Sequence, residues 1–127
     1  MDLIGDRAER TRMATVLITH DLALAAEHCD RIVVMHAGHV VQAGPSEKLF
    51  AAPRHPYTAK LIEATPRAGV TLADLAAIPG GLPDLRGVLG PCRYRARCER
   101  HESACDEPPL PRVEIGPGHV VACRHPR

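Results

Sequence analysis

Nine of the chain's twelve prolines lie from Pro66 onward, together with four of its five cysteines, Cys92, Cys98, Cys105 and Cys123. Proline interrupts helices and sheet ladders alike, and a stretch with little apolar periodicity cannot fix itself by burial alone. Residues 66–127 are therefore expected to be loop-rich, with few regular elements and with the cysteines as the ordering device. A short helix over Thr71–Ala77, capped by Thr71, is the one regular element expected there.

The four tail cysteines are separated by 5, 6 and 17 intervening residues. Four thiolates can close a tetrahedral zinc site or hold a cubane iron–sulfur cluster, because both need soft anionic sulfur converging on one point. Zinc knuckles favour pairs about two to four residues apart, and neither short gap here is that tight. A cluster presents separate metal atoms to its ligands, so wider gaps suit it better. Free or disulfide-bonded cysteines are the alternative reading. Arg93, Arg95, Arg97, Arg100 and Arg124 surround the thiols; they are placed either to depress thiol pKa values and offset thiolate charge or to form a solvated basic surface. His101, His119 and His125 are substitute ligands or simply exposed.

Residues 1–65 have an α/β texture. Leu3, Ile4 and Ala8 suggest a helix running into Arg10-Thr11-Arg12. Val16-Leu17-Ile18 is a continuous apolar run, which suits a strand covered on both faces in a parallel sheet. His20 then falls at the carboxyl end of that strand, where open sheets meet their ligands. Asp21 can cap a helix whose Leu22, Ala25, Ala26 and Cys29 share one face, which makes Cys29 a core thiol rather than a ligand. Arg31–His36 and His39–Ala43 flank Ala37-Gly38 as a β-hairpin ending at Gly44-Pro45. Ser46 caps a short helix through Ala51, Pro53 stops it, and Pro56 starts another through Ala64.

The formal net charge is +1 and aromatic residues make up 2% of the chain. That balance argues against electrostatic capture of nucleic acid and leaves few rings for stacking on bases. No apolar run approaches the roughly 20 residues of a spanning helix, so no direct membrane insertion is expected.

Leu17-Ile18-Thr19-His20-Asp21-Leu22 closely resembles the switch-histidine segment of ATP-binding-cassette (ABC) ATPases. Cys29-Asp30-Arg31-Ile32-Val33-Val34-Met35, Ala37-Gly38, Gly44-Pro45 and Glu47, Leu49, Phe50 are similar to words found across that family. Pro53-Arg54-His55-Pro56-Tyr57-Thr58, Ile78-Pro79-Gly80, Cys92-Arg93-Tyr94, Arg97-Cys98, Glu107-Pro108-Pro109-Leu110 and Gly118-His119-Val120 resemble its oligopeptide/dipeptide transporter branch more particularly. The resemblance implies a C-terminal fragment of a P-loop NTPase (ABC) nucleotide-binding domain over residues 1–65, followed over 66–127 by a loop-rich four-cysteine tail. It implies a four-iron, four-sulfur cluster on Cys92, Cys98, Cys105 and Cys123, with zinc as the alternative. His20 would contact the γ-phosphate of ATP and hold the attacking water, between two nucleotide-binding domains. The parent subunit would couple hydrolysis of ATP with Mg to uptake of oligopeptides or dipeptides, or of nickel and related solutes. Its partners would be transmembrane permease subunits and a second ATP-binding subunit, on the cytoplasmic face of the membrane. Arg12 stands where the family usually has glycine, and Ala96 and Glu99 where it often has proline.

The only lysines, Lys48 and Lys60, follow Glu47 and Ala59, so neither belongs to a Gly-Lys-Ser/Thr phosphate loop. No Ser-Gly-Gly signature and no apolar strand ending in Asp-Glu is present either. A truncated or split ATP-binding subunit that does not hydrolyse ATP alone is the leading expectation. A stand-alone iron–sulfur or zinc module, and a Met1 taken from inside a longer reading frame, are the others.

Overall fold

The computed structural model describes residues 2–66, 71, 75 and 77–127. Helix α1 spans Asp2–Thr11. It ends at Arg12, whose φ of +53° is the left-handed conformation that glycine supplies without strain. An arginine at this glycine-favouring position is the departure noted above.

Residues 13–19 belong to no helix or strand, and Val16 and Ile18 are 89% and 92% exposed. The expected buried parallel strand is therefore not formed. Its hydrogen-bonding groups and both faces need neighbours, and among the described residues no strand lies beside it.

From Asp21 the local signals act as expected. Asp21 Oδ1 accepts the Leu24 N–H at 3.0 Å and caps α2, Leu22–His28. Ala25 is buried and Cys29 packs on the core beside it, whereas Ala26 faces outward. Strands β1, Arg31–His36, and β2, His39–Pro45, form the hairpin. Its turn is Ala37-Gly38, both at positive φ. The alternation along β1 buries Ile32, Val34 and His36 and exposes Arg31, Val33 and Met35.

Helix α3 runs Ser46–Ala51, with Pro45 rather than Ser46 at the cap and Ser46 buried as the first helical residue. Helix α4 runs Pro56–Glu63 with proline in its first turn. Ala25, Ile32, Val34, Val41 and Leu49 form the core, and Phe50, Tyr57, Leu61 and Ile62 close over it.

The tail holds more regular structure than its prolines suggest. Short 3₁₀ turns at Arg95–Arg97 and Ser103–Asp106 carry the cysteine loops. Strands β3, Arg112–Gly116, and β4, His119–Ala122, then form a second hairpin. Strand β4 adds antiparallel to β2 through Gln42–Val121 and Ala43–Val120, so the sheet order is β1-β2-β4-β3. The helix expected over Thr71–Ala77 lies largely outside the described residues.

Candidate metal centre

Cys92, Cys98, Cys105 and Cys123 all line one pocket, walled by His55, Tyr94, Leu110 and the 3₁₀ turns. The folding of the tail brings this about locally. Cys92 and Cys98 flank the Arg95–Arg97 turn, Cys105 sits inside the Ser103–Asp106 turn, and Cys123 directly follows β4. The pairing of β4 with β2 thereby carries Cys123 back to the other three. All five cysteines are free thiols, and Cys29 lies in the core instead.

Burial holds the Cys92, Cys98 and Cys123 thiols above their ordinary pKa, and mutual repulsion among the four sulfurs pushes the same way. Depression of these thiols by arginine is thus not the outcome. The guanidinium groups are turned to backbone carbonyls instead. Arg93 donates to Ala37 O, Arg97 to Pro79 O at 2.7 Å and Ile78 O at 3.1 Å, and Arg124 to Glu107 O at 2.7 Å and Pro109 O at 3.2 Å. Arg95 pairs with Asp106 at 2.6 Å. Four of the five arginines therefore clamp the loops that carry the cysteines.

A thiolate-binding centre releases protons as it loads, and raised thiol pKa values leave those protons in place until a cation arrives. Among the described residues no three His, Cys, Asp or Glu side chains close tightly enough to hold a single metal ion.

His101 and His125 also line the pocket, 3.1 Å from Asp106 and Glu102 respectively. His119 does not. It is 5% exposed and its Nε2 lies 2.8 Å from Gln42 Nε2. The Gln42 oxygen accepts the backbone N–H groups of Arg54, at 3.1 Å, and His55, at 2.8 Å. This buried network, linking β2, β4 and the α3–α4 loop, escaped sequence reading altogether. The single polar residue at an inward position of β2 was its one signal.

His55 is a second residue missed. Its Nδ1 accepts the Tyr57 N–H at 3.0 Å and caps α4, while its ring forms part of the pocket wall. His36, Tyr57 and Tyr94 stack behind it, with centroids 4.5 Å apart for His36 and Tyr57 and 5.2 Å for Tyr57 and Tyr94. His20 stands apart from the thiol pocket, exposed just after the irregular 13–19 stretch. No helix among the described residues is long and apolar enough to cross a membrane.

A family model for the oligopeptide/dipeptide transporter C-terminal region matches residues 41–105. A probable peptide ABC transporter ATP-binding protein of Sinorhizobium fredii is 41% identical over 95% of the chain and 36% of that protein. The dipeptide transport ATP-binding protein of Escherichia coli is 38% identical over 99% of the chain and 38% of that protein. The oligopeptide transport ATP-binding protein of Salmonella typhimurium is 33% identical over 99% and 37%. The chain spans little more than a third of the length of these relatives. With a model match over half its length and relatives aligned along nearly all of it, the chain belongs to the oligopeptide/dipeptide transporter family of ABC ATP-binding proteins.

Proposed function

We propose that the chain is the C-terminal part of the ATP-binding subunit of an ABC importer for oligopeptides or dipeptides, and that its tail is organised by a four-iron, four-sulfur cluster. Cys92, Cys98, Cys105 and Cys123 would hold the cluster. The observation that carries the reading is the arrival of all four thiols at one pocket from three separate loops. Soft thiolate donors suit an iron–sulfur centre. A bound cluster would supply a thiolate-neutralising staple for loops that are otherwise held by arginine clamps.

His20 would serve the nucleotide, with the phosphate loop, signature and catalytic carboxylate supplied by the remainder of the ATPase. Its role there is positioning and electrostatic, at the γ-phosphate and the attacking water. The exposed Val16 and Ile18 are the apolar residues that a neighbouring strand of that remainder would cover. Permease subunits and a second ATP-binding subunit are the expected partners, at the cytoplasmic face of the membrane.

Iron, labile sulfide and zinc measured on anaerobically purified protein, with its visible spectrum, test the reading. About four irons and four sulfides per chain are expected for a cubane on four thiolates. One zinc without sulfide would replace the cluster by a structural zinc site, and no metal would overturn the metal centre.

A further inference from the structure

The sheet ends in two open edges, and they differ in charge. The order β1-β2-β4-β3 leaves β1 and β3 without a strand on their outer sides among the described residues. Strand β1, Arg31–His36, carries no acidic residue, and its Arg31 is already engaged with Gly118 O at 2.8 Å. Strand β3 carries one charge of each sign. Its Arg112, Val113 and Glu114 pair on the inner side with Ala122, Val121 and Val120 of β4, and all three are exposed, Val113 at 39%. Arg112 has no ion pair or side-chain hydrogen bond among the described residues. Glu114 is held by one bond, its Oε1 accepting the Gly118 N–H at 3.1 Å.

Edge strands are commonly kept apart by charge, and like charges set opposite one another oppose pairing. Strand β3 lacks that protection against itself. Residues i and i+2 of a strand lie on one face. An antiparallel pairing of two β3 strands about a two-fold axis at Val113 therefore sets Arg112 of each copy opposite Glu114 of the other, with the two Val113 side chains between them. Such a contact is isologous, and it gains two opposite-charge pairs and one apolar pair. It is also bounded. Pro111 has no N–H to offer, and beyond Glu114 the register slips before Gly116. An edge this short makes a small interface, which belongs with weak, concentration-dependent association.

We propose that the outer edge of β3 is a self-association surface whose occupant is the β3 strand of a second copy of this chain, with Arg112 of each copy opposite Glu114 of the other. The pairing joins two four-stranded sheets into one continuous sheet. It uses neither the thiol pocket nor a nucleotide, so it stands independently of the function proposed above.

Sedimentation velocity of the full chain over a concentration series, with reductant present so that the thiols do not bridge copies, reads the association. Wild type is expected to form a reversible dimer. Arg112→Glu and Glu114→Arg each set like charges opposite at both pairs, and each should weaken the dimer about tenfold. The chain carrying both exchanges restores two opposite-charge pairs and should return toward wild type. Circular dichroism checks that each variant keeps its fold, and Arg112→Glu leaves the Glu114–Gly118 bond intact. Wild type that stays monomeric up to its solubility limit overturns the inference. A dimer that neither single exchange weakens overturns it too, because that dimer would use another surface, such as the exposed Val16 and Ile18. A double exchange that associates no better than the single ones overturns the pairing of Arg112 with Glu114.

Discussion

Replacing Gln42 by alanine should be among the most damaging single changes in the chain. Its carboxamide is fully buried and makes three contacts at once, accepting from Arg54 N and His55 N and donating to His119 Nε2. Because the oxygen takes both backbone donors, the amide NH₂ must face His119, which fixes His119 as an acceptor with its proton on Nδ1. Alanine leaves two N–H groups and one imidazole nitrogen without partners. At about 1–3 kcal/mol for each unsatisfied buried group, and with water relieving part of the deficit, the loss should be about 3–5 kcal/mol. For a chain of this size that corresponds to a fall in Tm of roughly 10–20 °C. Urea unfolding at pH 7.5, followed by circular dichroism, measures the loss directly. Gln42→Glu is the discriminating comparison: the carboxylate keeps both backbone donors satisfied, and His119 must take up a proton to contact it. That variant should lose less than Gln42→Ala, and its His119 pKa should rise. A Gln42→Ala loss below about 1 kcal/mol, or equal losses in the two variants, would refute the network as a source of stability.

Other perturbations read different parts of the same architecture. Gly44→Ala should destabilise by about 1–3 kcal/mol, because a Cβ there would lie 2.6 Å from the Cδ2 of a His119 ring that Gln42 holds in place; thermal unfolding measures it, and a neutral result would mean that the ring moves freely. Acid should weaken the fold before any carboxylate titrates. His36, His55 and His119 are all held below their ordinary pKa, chiefly by burial, so the unfolded chain binds protons that the folded chain refuses as pH falls below 6.5. For His55, whose folded value is about 4 against 6.5 unfolded, the contribution is about 3 kcal/mol, lost progressively across that window; a flat stability between pH 7 and 5 would contradict it. Cys98→Ser should lower iron content and raise protease sensitivity beyond residue 85, and unchanged iron would remove Cys98 from the ligand set.

The elements legible in the sequence are those encoded by neighbours. Asp21 caps α2, Ala37-Gly38 turns the hairpin and Pro56 opens α4, each through contacts within a few residues. Val16–Ile18 has a strand's composition but, among the described residues, no strand beside it, since a strand's hydrogen bonds lie on another segment. The β3–β4 hairpin was hidden by its surroundings, although Val113 and Ile115 alternate with polar residues before Gly116-Pro117-Gly118 and Val120-Val121 follow. Charge misled in the same direction. Five arginines near four cysteines suggest electrostatics, yet Arg93 reaches a carbonyl 56 residues away and Arg97 one 18 residues away.

The long-range contacts also explain how a proline-rich tail can present four thiols to one pocket. Strand β4 joins the first hairpin through β2, and Cys123 follows it immediately. Gln42, on that same β2, fixes the backbone at Arg54 and His55, and Arg127 fixes Arg54 from the other end of the tail. Arg93 ties the Cys92 loop to the turn of the first hairpin. The pocket therefore shares its supports with the core, and a change deep in β2 should reach the thiols through the same contacts. Gln42→Ala accordingly should lower iron uptake as well as stability, although Gln42 is not among the residues lining the pocket. A Gln42→Ala protein that stays folded at low temperature and loads as much iron as wild type would show that the thiol loops are organised independently of the sheet.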